Sequence, residues 1–445
     1  MKRLLSSLAL GIALAALPAA AQTQLSLDES IRIALAQNPS QEAARQAVAA
    51  AAAVIERARA DRRPAVDLVA AARSFETFAF LPEGLTPPGG TSTIGPAEDW
   101  GIAVEGRYSL YDSGLGRARV EAAEATHASK QHELAEARAD LILAVHRAYR
   151  GVEASLAALE AAKSRLARSA DHVRLAQSRL DAGASPRADV TRARVENANA
   201  QAALAAAVAD VRTATAALNV LLGIPAEEPV AITTPEAPPA GEDRDLEGSI
   251  GAALESRPEI LAARERIAAR EAEARLAATL SGVKADARVR YGVREDELFP
   301  SERDYSIGIT VSKSLFDGGR EKADVARARA ETGAEEARLA ALENEVRREI
   351  VEAHARLAEA RERAEAASTA LAEARESVRL MRSRYEAGAE PIGELLDAAA
   401  DLDAAEASSV AAQMRVHVSI AALAHARGDL VPQTTEVSVN LRSQN

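Results

Sequence analysis

The sequence repeats itself at a constant spacing, and this repeat restricts the possible folds more than any other feature. Adding 205 to a residue number finds a matching residue over more than a hundred positions, as for Asp112 with Asp317 and Gly183 with Gly388. Nearer the start of each copy the spacing becomes 219. A chain made of two copies of one unit places the same elements twice, and each copy must bury its apolar faces against a neighbour.

The repeat divides the chain into five segments. We expect a signal peptide at 1–21, a first structural repeat at 22–223, a Pro-rich linker at 224–245, a second structural repeat at 246–430 and a polar tail at 431–445. The first segment has two basic residues, an apolar run and an Ala-rich end, as in a cleaved secretory signal. We expect no later segment to be long and apolar enough for a transmembrane helix. Each copy is predicted to contain a helix, two strands, a very long helix, a Gly/Pro break and a return helix.

The long helix of the second copy is predicted from about residue 320 to residue 386. Its apolar positions alternate in steps of three and four from Ile350 to Tyr385, and many of them are Ala. Such a heptad seam requires a partner helix, and we expect tight antiparallel packing against the return helix. A helix of about 65 residues is roughly 100 Å long, which no compact domain contains.

The break after each long helix has the same sequence pattern, LDAGASP in the first copy and YEAGAEP in the second. Gly183 and Gly388 can end a helix in the left-handed conformation, and Pro186 and Pro391 suit the first turn of the next helix. We therefore predict helical hairpin tips. A solvated kink in one continuous rod is the alternative.

Alternating apolar and polar residues predict two strands in each copy, for example at 100–110, 283–293 and 305–315. The first copy has an additional Pro/Gly-rich loop at 80–99. Strands of about 9 to 11 residues with this period match outer-membrane barrels, whereas an ordinary half-buried sheet is the alternative. Four strands cannot close a membrane barrel, which needs about eight. If the strands span a membrane, several chains must therefore combine them.

Composition excludes several classes of function. The formal net charge of −12 argues against nucleic-acid binding, and the chain has no Cys. Its seven His lack the spacing of a metal site, and no P-loop or nucleophile elbow is present. We expect neither enzymatic activity nor a cofactor or metal.

Together these features resemble the TolC family of outer-membrane efflux proteins. The most specific motifs are LFDGGR at 315–320, the two tips, and the Asn-Pro and Arg-Pro pairs at 38–39 and 257–258. The resemblance implies a mainly α fold with a small β part, in which long antiparallel coiled-coil helices form an α-barrel. Each protomer would add four transmembrane strands, and a trimer would complete a 12-stranded β-barrel. The residues that mark the strand-to-helix junctions, where each strand would leave the membrane, are Asp112, Gly114, Asp317, Gly318 and Gly319.

The resemblance also implies a function. It predicts an outer-membrane channel-tunnel, with its helical tunnel in the periplasm, in a tripartite efflux or type I secretion system. The expected partners are a homotrimer, outer-membrane lipid, an inner-membrane pump, and a periplasmic adaptor that docks at Gly183, Pro186, Gly388 and Pro391. The cargo stays open among drugs, metals and proteins. The alternatives are a periplasmic adaptor or a structural coiled-coil protein, neither of which explains two strand pairs.

Acidic residues of the return helix match the narrow periplasmic entrance of the family. Glu394 and Asp397 lie three positions apart and hence on one helical face. A trimer would place six such carboxylates around the aperture, which would favour cations. The alternative is that both are ordinary solvated helix residues.

The family also closes its entrance with contacts between an acid, a Tyr and an Arg. Asp189 and Tyr385 match the acid and the Tyr, but the position of the Arg is Glu390, a reversal of charge. We therefore expect Arg187 or Arg192 to supply the cation.

Overall fold

A computed structural model describes residues 24–74, 98–233, 245–295 and 301–430. The predicted signal peptide and tail, most of the Pro/Gly-rich loop of the first copy and the second half of the linker lie outside the described residues.

The helices of the described chain repeat with the predicted spacing. They are α1 (Leu27–Gln37), α2 (Pro39–Ala60), α3 (Leu115–Asp181), α4 (Arg187–Leu222), α5 (Leu246–Ser256), α6 (Pro258–Thr279), α7 (Arg320–Glu386) and α8 (Ile392–Arg427). The long helices α3 and α7 have 67 residues each, and the return helices α4 and α8 have 36 each. Bounds of both pairs differ by 205, whereas those of the shorter helices differ by 219. The predicted repeat is confirmed, as is a mainly α fold.

The single helix predicted ahead of the strands in each copy is wrong, because two helices are present. The break falls before a proline, which lacks an N–H group and disfavours helical backbone in the preceding residue. Asn38 and Arg257 accordingly have extended ψ angles of 126° and 129°. Asn38 Nδ2 donates a hydrogen bond to the Leu221 carbonyl at 2.9 Å. Arg257 Nη1 makes the equivalent bond to the Ala426 carbonyl at 3.4 Å.

The strands are β1 (Gln24–Leu25), β2 (Ala65–Ser74), β3 (Glu98–Tyr111), β4 (Ala231–Ile232), β5 (Lys284–Glu295) and β6 (Arg303–Ser312). The four longer ones form an antiparallel sheet in the order β2-β3-β5-β6. The two predicted strands per copy are thus confirmed, although β6 ends at Ser312 and not at 315. Within the described residues, β2 and β6 each have a neighbour on one side only.

One face of this sheet is apolar and exposed. Val66 and Leu68 of β2, Tyr291 of β5, and Ile307 and Ile309 of β6 all belong to it and are open to solvent in the single chain. In a soluble protein such a face would be covered by other elements. The apolar face of this sheet therefore has to be covered by something outside the single chain.

The chain divides into two compact units, and each contains parts of both copies. The tip unit comprises described residues 24–38, 141–233 and 356–422, and the strand unit comprises described residues 39–74, 98–140, 245–295, 301–355 and 423–430.

The tip unit contains a small parallel β-pair that the sequence did not predict. Leu25 of β1 pairs with Ile232 of β4. The buried Tyr149 of α3 donates its hydroxyl proton to the carbonyl of Leu25 at 3.0 Å or of Thr233 at 2.5 Å. The first half of the Pro-rich linker is therefore held in place by side chains of the tip unit.

Long and return helices form antiparallel hairpins, as predicted. In the first copy, Arg165 Nη2 of α3 donates to Glu196 Oε1 of α4 at 2.7 Å. In the second copy, Ala367 of α7 and Ala412 of α8 line one cleft, while Tyr385 and Ile392 meet next to the tip. The predicted seam positions of α7 are buried or half-buried. The continuous-rod alternative is excluded.

Among the described helices, α4 is long and apolar enough to cross a membrane by length and composition alone. The expectation that the chain contains no such helix is therefore wrong on these criteria. The reason is the Ala content of α4, whose buried residues include Ala193, Ala200 and Ala207 within the tip unit.

Candidate functional site

Both long helices begin at the same capped turn. The Asp112 carboxylate accepts hydrogen bonds from the backbone N–H groups two and four residues further on, at 3.0 and 2.6 Å. Asp317 does the same at 2.9 and 2.7 Å. Gly114, Gly318 and Gly319 have φ angles of 90°, 71° and 88°, which suit glycine. These residues allow a strand to turn directly into a helix whose first N–H groups are satisfied.

The two tips have matching backbone geometry. Gly183 and Gly388 have φ angles of 73° and 77°. The N–H group after each glycine bonds to the carbonyl five residues earlier, at 2.7 and 2.9 Å, which is the Schellman arrangement at a helix end. Pro186 and Pro391 immediately precede α4 and α8, one position before the predicted first turn. All four residues are exposed in the single chain.

Four helices contribute to one apolar cluster beneath the tips. Its buried members are Ala176 of α3, Val190 and Ala193 of α4, Tyr385 of α7, and Ile392 and Leu395 of α8. The hairpins of both copies are thus joined in a single core within the tip unit.

Arg179 lies directly over the buried ring of Tyr385. Its guanidinium carbon is 4.9 Å from the ring centroid, and Nη1 donates to the Glu386 carbonyl at 2.7 Å. A cation in this position is worth about 0.5 to 2 kcal/mol. Burial, followed by the charge of the nearby Asp189 carboxylate, raises the pKa of Tyr385. The structure therefore brings the predicted Asp189 and Tyr385 together with a cation from the first long helix.

An acidic row runs along one exposed face of α8. Glu394 and Asp397 are both exposed, on the side opposite Ile392 and Leu395. Asp401, four residues further on, is also exposed and extends the row. None of these three acids forms an ion pair with a described residue. The row is thus exposed in the single chain.

The histidines lie on helices and are dispersed. His146, His172 and His417 are partly or fully buried, and burial lowers the pKa of each. Among the described residues, no group of three or more His, Asp or Glu side chains could hold a metal ion.

The sequence profile for "outer membrane efflux protein" matches residues 30–224 and 249–429, and thus both copies of the repeat. The chain belongs to this family. Membership confirms the resemblance drawn from the motifs and the predicted outer-membrane localisation.

Relatives of this outer membrane efflux protein are distant in sequence. Outer membrane efflux protein BepC of Brucella suis biovar 1 (strain 1330) is 28% identical over 262 residues, which are 56% of this chain and 54% of BepC. The match thus spans about half the length of BepC.

Two crystal structures share the fold. A membrane protein from Pseudomonas aeruginosa is 23% identical, with a TM-score of 0.78, over 90% of this chain and 93% of that chain. The Campylobacter jejuni CmeC outer membrane channel is 16% identical, with a TM-score of 0.78, over 92% of this chain and 86% of that chain.

In this outer membrane efflux protein, the cation found beside Tyr385 is not one of the two predicted arginines. Arg187 and Arg192 are exposed, and neither forms an ion pair with a described residue. Glu390, at the position of the family's Arg, lies 3.6 Å from Arg384 Nη1 of its own tip. Sequence reasoning missed Arg179. The repeat nevertheless pointed to it, since Arg179 and Arg384 are separated by the constant 205 and so occupy equivalent positions in the two copies.

Proposed function

We propose that the protein is the outer-membrane channel of a tripartite efflux or type I secretion system and that it acts as a homotrimer. The observation that carries this proposal is the four-stranded sheet, which has an exposed apolar face and two edges without a second neighbour in the described chain. Lipid cannot satisfy the N–H and C=O groups of an open edge. Three sheets joined edge to edge would close a 12-stranded barrel with its apolar face toward lipid.

The tips are the proposed docking surface for a periplasmic adaptor. Both are exposed and have the same backbone geometry, so a trimer would present six similar ends. An inner-membrane pump would supply the energy, and the channel itself would perform no chemical step. The class of cargo is then set by the pump.

The acidic row of α8 is the proposed periplasmic entrance. Three copies of Glu394 and Asp397 would form a cation-preferring ring, to which Asp401 adds three further carboxylates. Arg179, Tyr385 and Asp189 would hold the surrounding helices in one arrangement.

Fractionation and gel migration test the assembly. The protein should occur in the outer-membrane fraction and run as a trimer in unheated detergent samples, converting to a monomer on heating. In planar bilayers it should form discrete ion-conducting steps. A soluble periplasmic monomer would instead support the adaptor or the structural coiled coil.

A further inference from the structure

Two arginines face each other on the polar side of the sheet. Arg107 of β3 pairs directly with Arg288 of β5, and Arg290 follows two residues later on the same face of β5. Like charges directly opposite each other destabilise a sheet. A nearby negative charge would offset this repulsion.

Acids among the described residues supply that charge to two of the three arginines. Arg290 donates from Nη1 to Glu105 at 2.5 Å and from Nε to Asp304 at 3.0 Å. Arg107 donates from Nη2 to Asp67 at 2.5 Å. Asp67, Glu105 and Asp304 on this face are thus already engaged.

Arg288 has no partner among the described residues. No described residue accepts a hydrogen bond from its guanidinium or pairs with it within 4 Å, including Asp286, the next acid on the same face of β5. The residue directly opposite Arg288 on β6 is Gly308. A Cβ placed on Gly308 would meet nothing within 4 Å, so the space beside Arg288 is open.

Arg288 also lines a cleft of about 400 Å³ together with Arg107, Arg290, Ser306 and Glu105, whose carboxylate is the one paired with Arg290. Guanidinium groups present N–H donors in a planar fork that matches carboxylate and phosphate oxygens. Ser306 adds a hydroxyl on the same side. We propose that this cleft binds a carboxylate or phosphate group, which supplies the counter-charge that Arg288 lacks.

This site rests on the proposed channel, because the polar face lines a lumen only if the sheet is part of a closed barrel. The bound group would then belong to a solute passing through the lumen. A phosphate of a membrane lipid has the same chemistry, and the experiment separates the two sources.

The test uses the purified full-length protein in planar bilayers of phosphatidylcholine, with inorganic tripolyphosphate as the probe. The wild-type channel should be blocked by tripolyphosphate. Arg288→Gln should raise the half-blocking concentration roughly tenfold, since it removes charge-assisted hydrogen bonds. Lys284→Gln, the same loss of charge elsewhere on β5, should leave that concentration nearly unchanged.

A second pair of variants tests the open space. Gly308→Asp should weaken the block to a similar degree, because the new carboxylate can pair with Arg288. Gly308→Asn, of nearly equal size but neutral, should not weaken it.

Three results would overturn the site. The first is conducting channels in which Arg288→Gln and Gly308→Asp are blocked like the wild type. The second is a block that disappears once lipopolysaccharide is added to the bilayer, which would assign the cleft to lipid phosphate. The third is an absence of conductance in the wild type, which would refute the channel itself.

Discussion

The sheet of the strand unit exposes its large apolar residues, whereas the tip unit buries those beneath its tips. Ile307 and Ile309 of the sheet are 77% and 68% exposed, whereas Tyr385 and Ile392 beneath the tips are 2% and 0% exposed. The tips thus have a complete core within one chain. The sheet exposes the residues that should stabilise it, so it depends on lipid and on further copies of the chain.

The same two regions also differ in the sign of their unpaired charges. The exposed Glu394, Asp397 and Asp401 of α8 form no ion pair with a described residue, and neither does Arg288 on the polar face of the sheet. In the proposed channel, a solute meets carboxylates near the tips and guanidinium groups between the strands. Changes in the sheet should therefore affect assembly most strongly, and changes near the tips should affect transport or ion preference.

The largest effect is expected from Ile309→Asp in the sheet. A charge on the apolar face would cost about 2 kcal/mol per chain in lipid, and three chains share the barrel. Trimer in the outer-membrane fraction should be nearly lost. Ser306→Asp, on the polar face of the same strand and opposite Arg290, is the control and should assemble. Equal trimer yields from both variants would contradict the assignment of the two faces.

The next effect is expected at the tips, from Gly388→Val. The φ angle of 77° costs a β-branched residue about 1 to 3 kcal/mol, and its Cβ would approach Arg179 Nη2 to 3.2 Å. Export in cells should fall while the trimer persists. Gly388→Asn should retain most export, because Asn tolerates this conformation. Loss of the trimer in the Val variant would place this glycine in a folding role instead.

A smaller effect is expected from neutralising the acidic row. Glu394→Gln combined with Asp397→Asn should leave the trimer intact, because both side chains are exposed and form no described ion pair. Cation preference in bilayer recordings should decrease several-fold, since the six carboxylates of a trimer become neutral. Block by multivalent cations should weaken as well. Unchanged selectivity and block would exclude these two residues from the entrance.

The smallest effect concerns pH. Burial, followed by the charge of Arg382, lowers the pKa of His172. In the unfolded chain the pKa of His is about 6.5. As the pH falls below this value, the unfolded chain therefore takes up a proton before the folded chain does, and the stability of the fold decreases. His172→Gln should reduce this loss by less than about 1.4 kcal/mol per pH unit per chain. Thermal unfolding of the purified protein at pH 5 and 7.5 measures it, and identical pH dependence in the variant would refute the assignment.

The repeat made much of this fold predictable. Gly183 and Gly388 marked both tips because only glycine readily adopts the left-handed backbone there, and the seam from Ile350 to Tyr385 identified a helix that needs a partner. The split before Pro39 and Pro258 was also readable, since proline ends a helix locally.

Other features depend on contacts between distant segments, and local patterns do not report them. The β1–β4 pair joins residues about 200 positions apart through Tyr149. Arg179 resembles any exposed helical Arg in sequence, and its role depends on where the ring of Tyr385 lies. The same holds for Arg288, whose lack of a partner is visible only once the register of β3, β5 and β6 is known.

The central claim, that several chains combine their strands, is tested most directly by cross-linking the two sheet edges. The chain has no Cys, so introduced ones react without background. Leu68→Cys on β2 would be combined in turn with Tyr305→Cys, Ile307→Cys and Ile309→Cys on β6, and treated in membranes with a short bismaleimide. We expect at least one combination to yield a covalent trimer that survives heating. Cross-links confined to single chains, in every combination that reacts, would contradict the account.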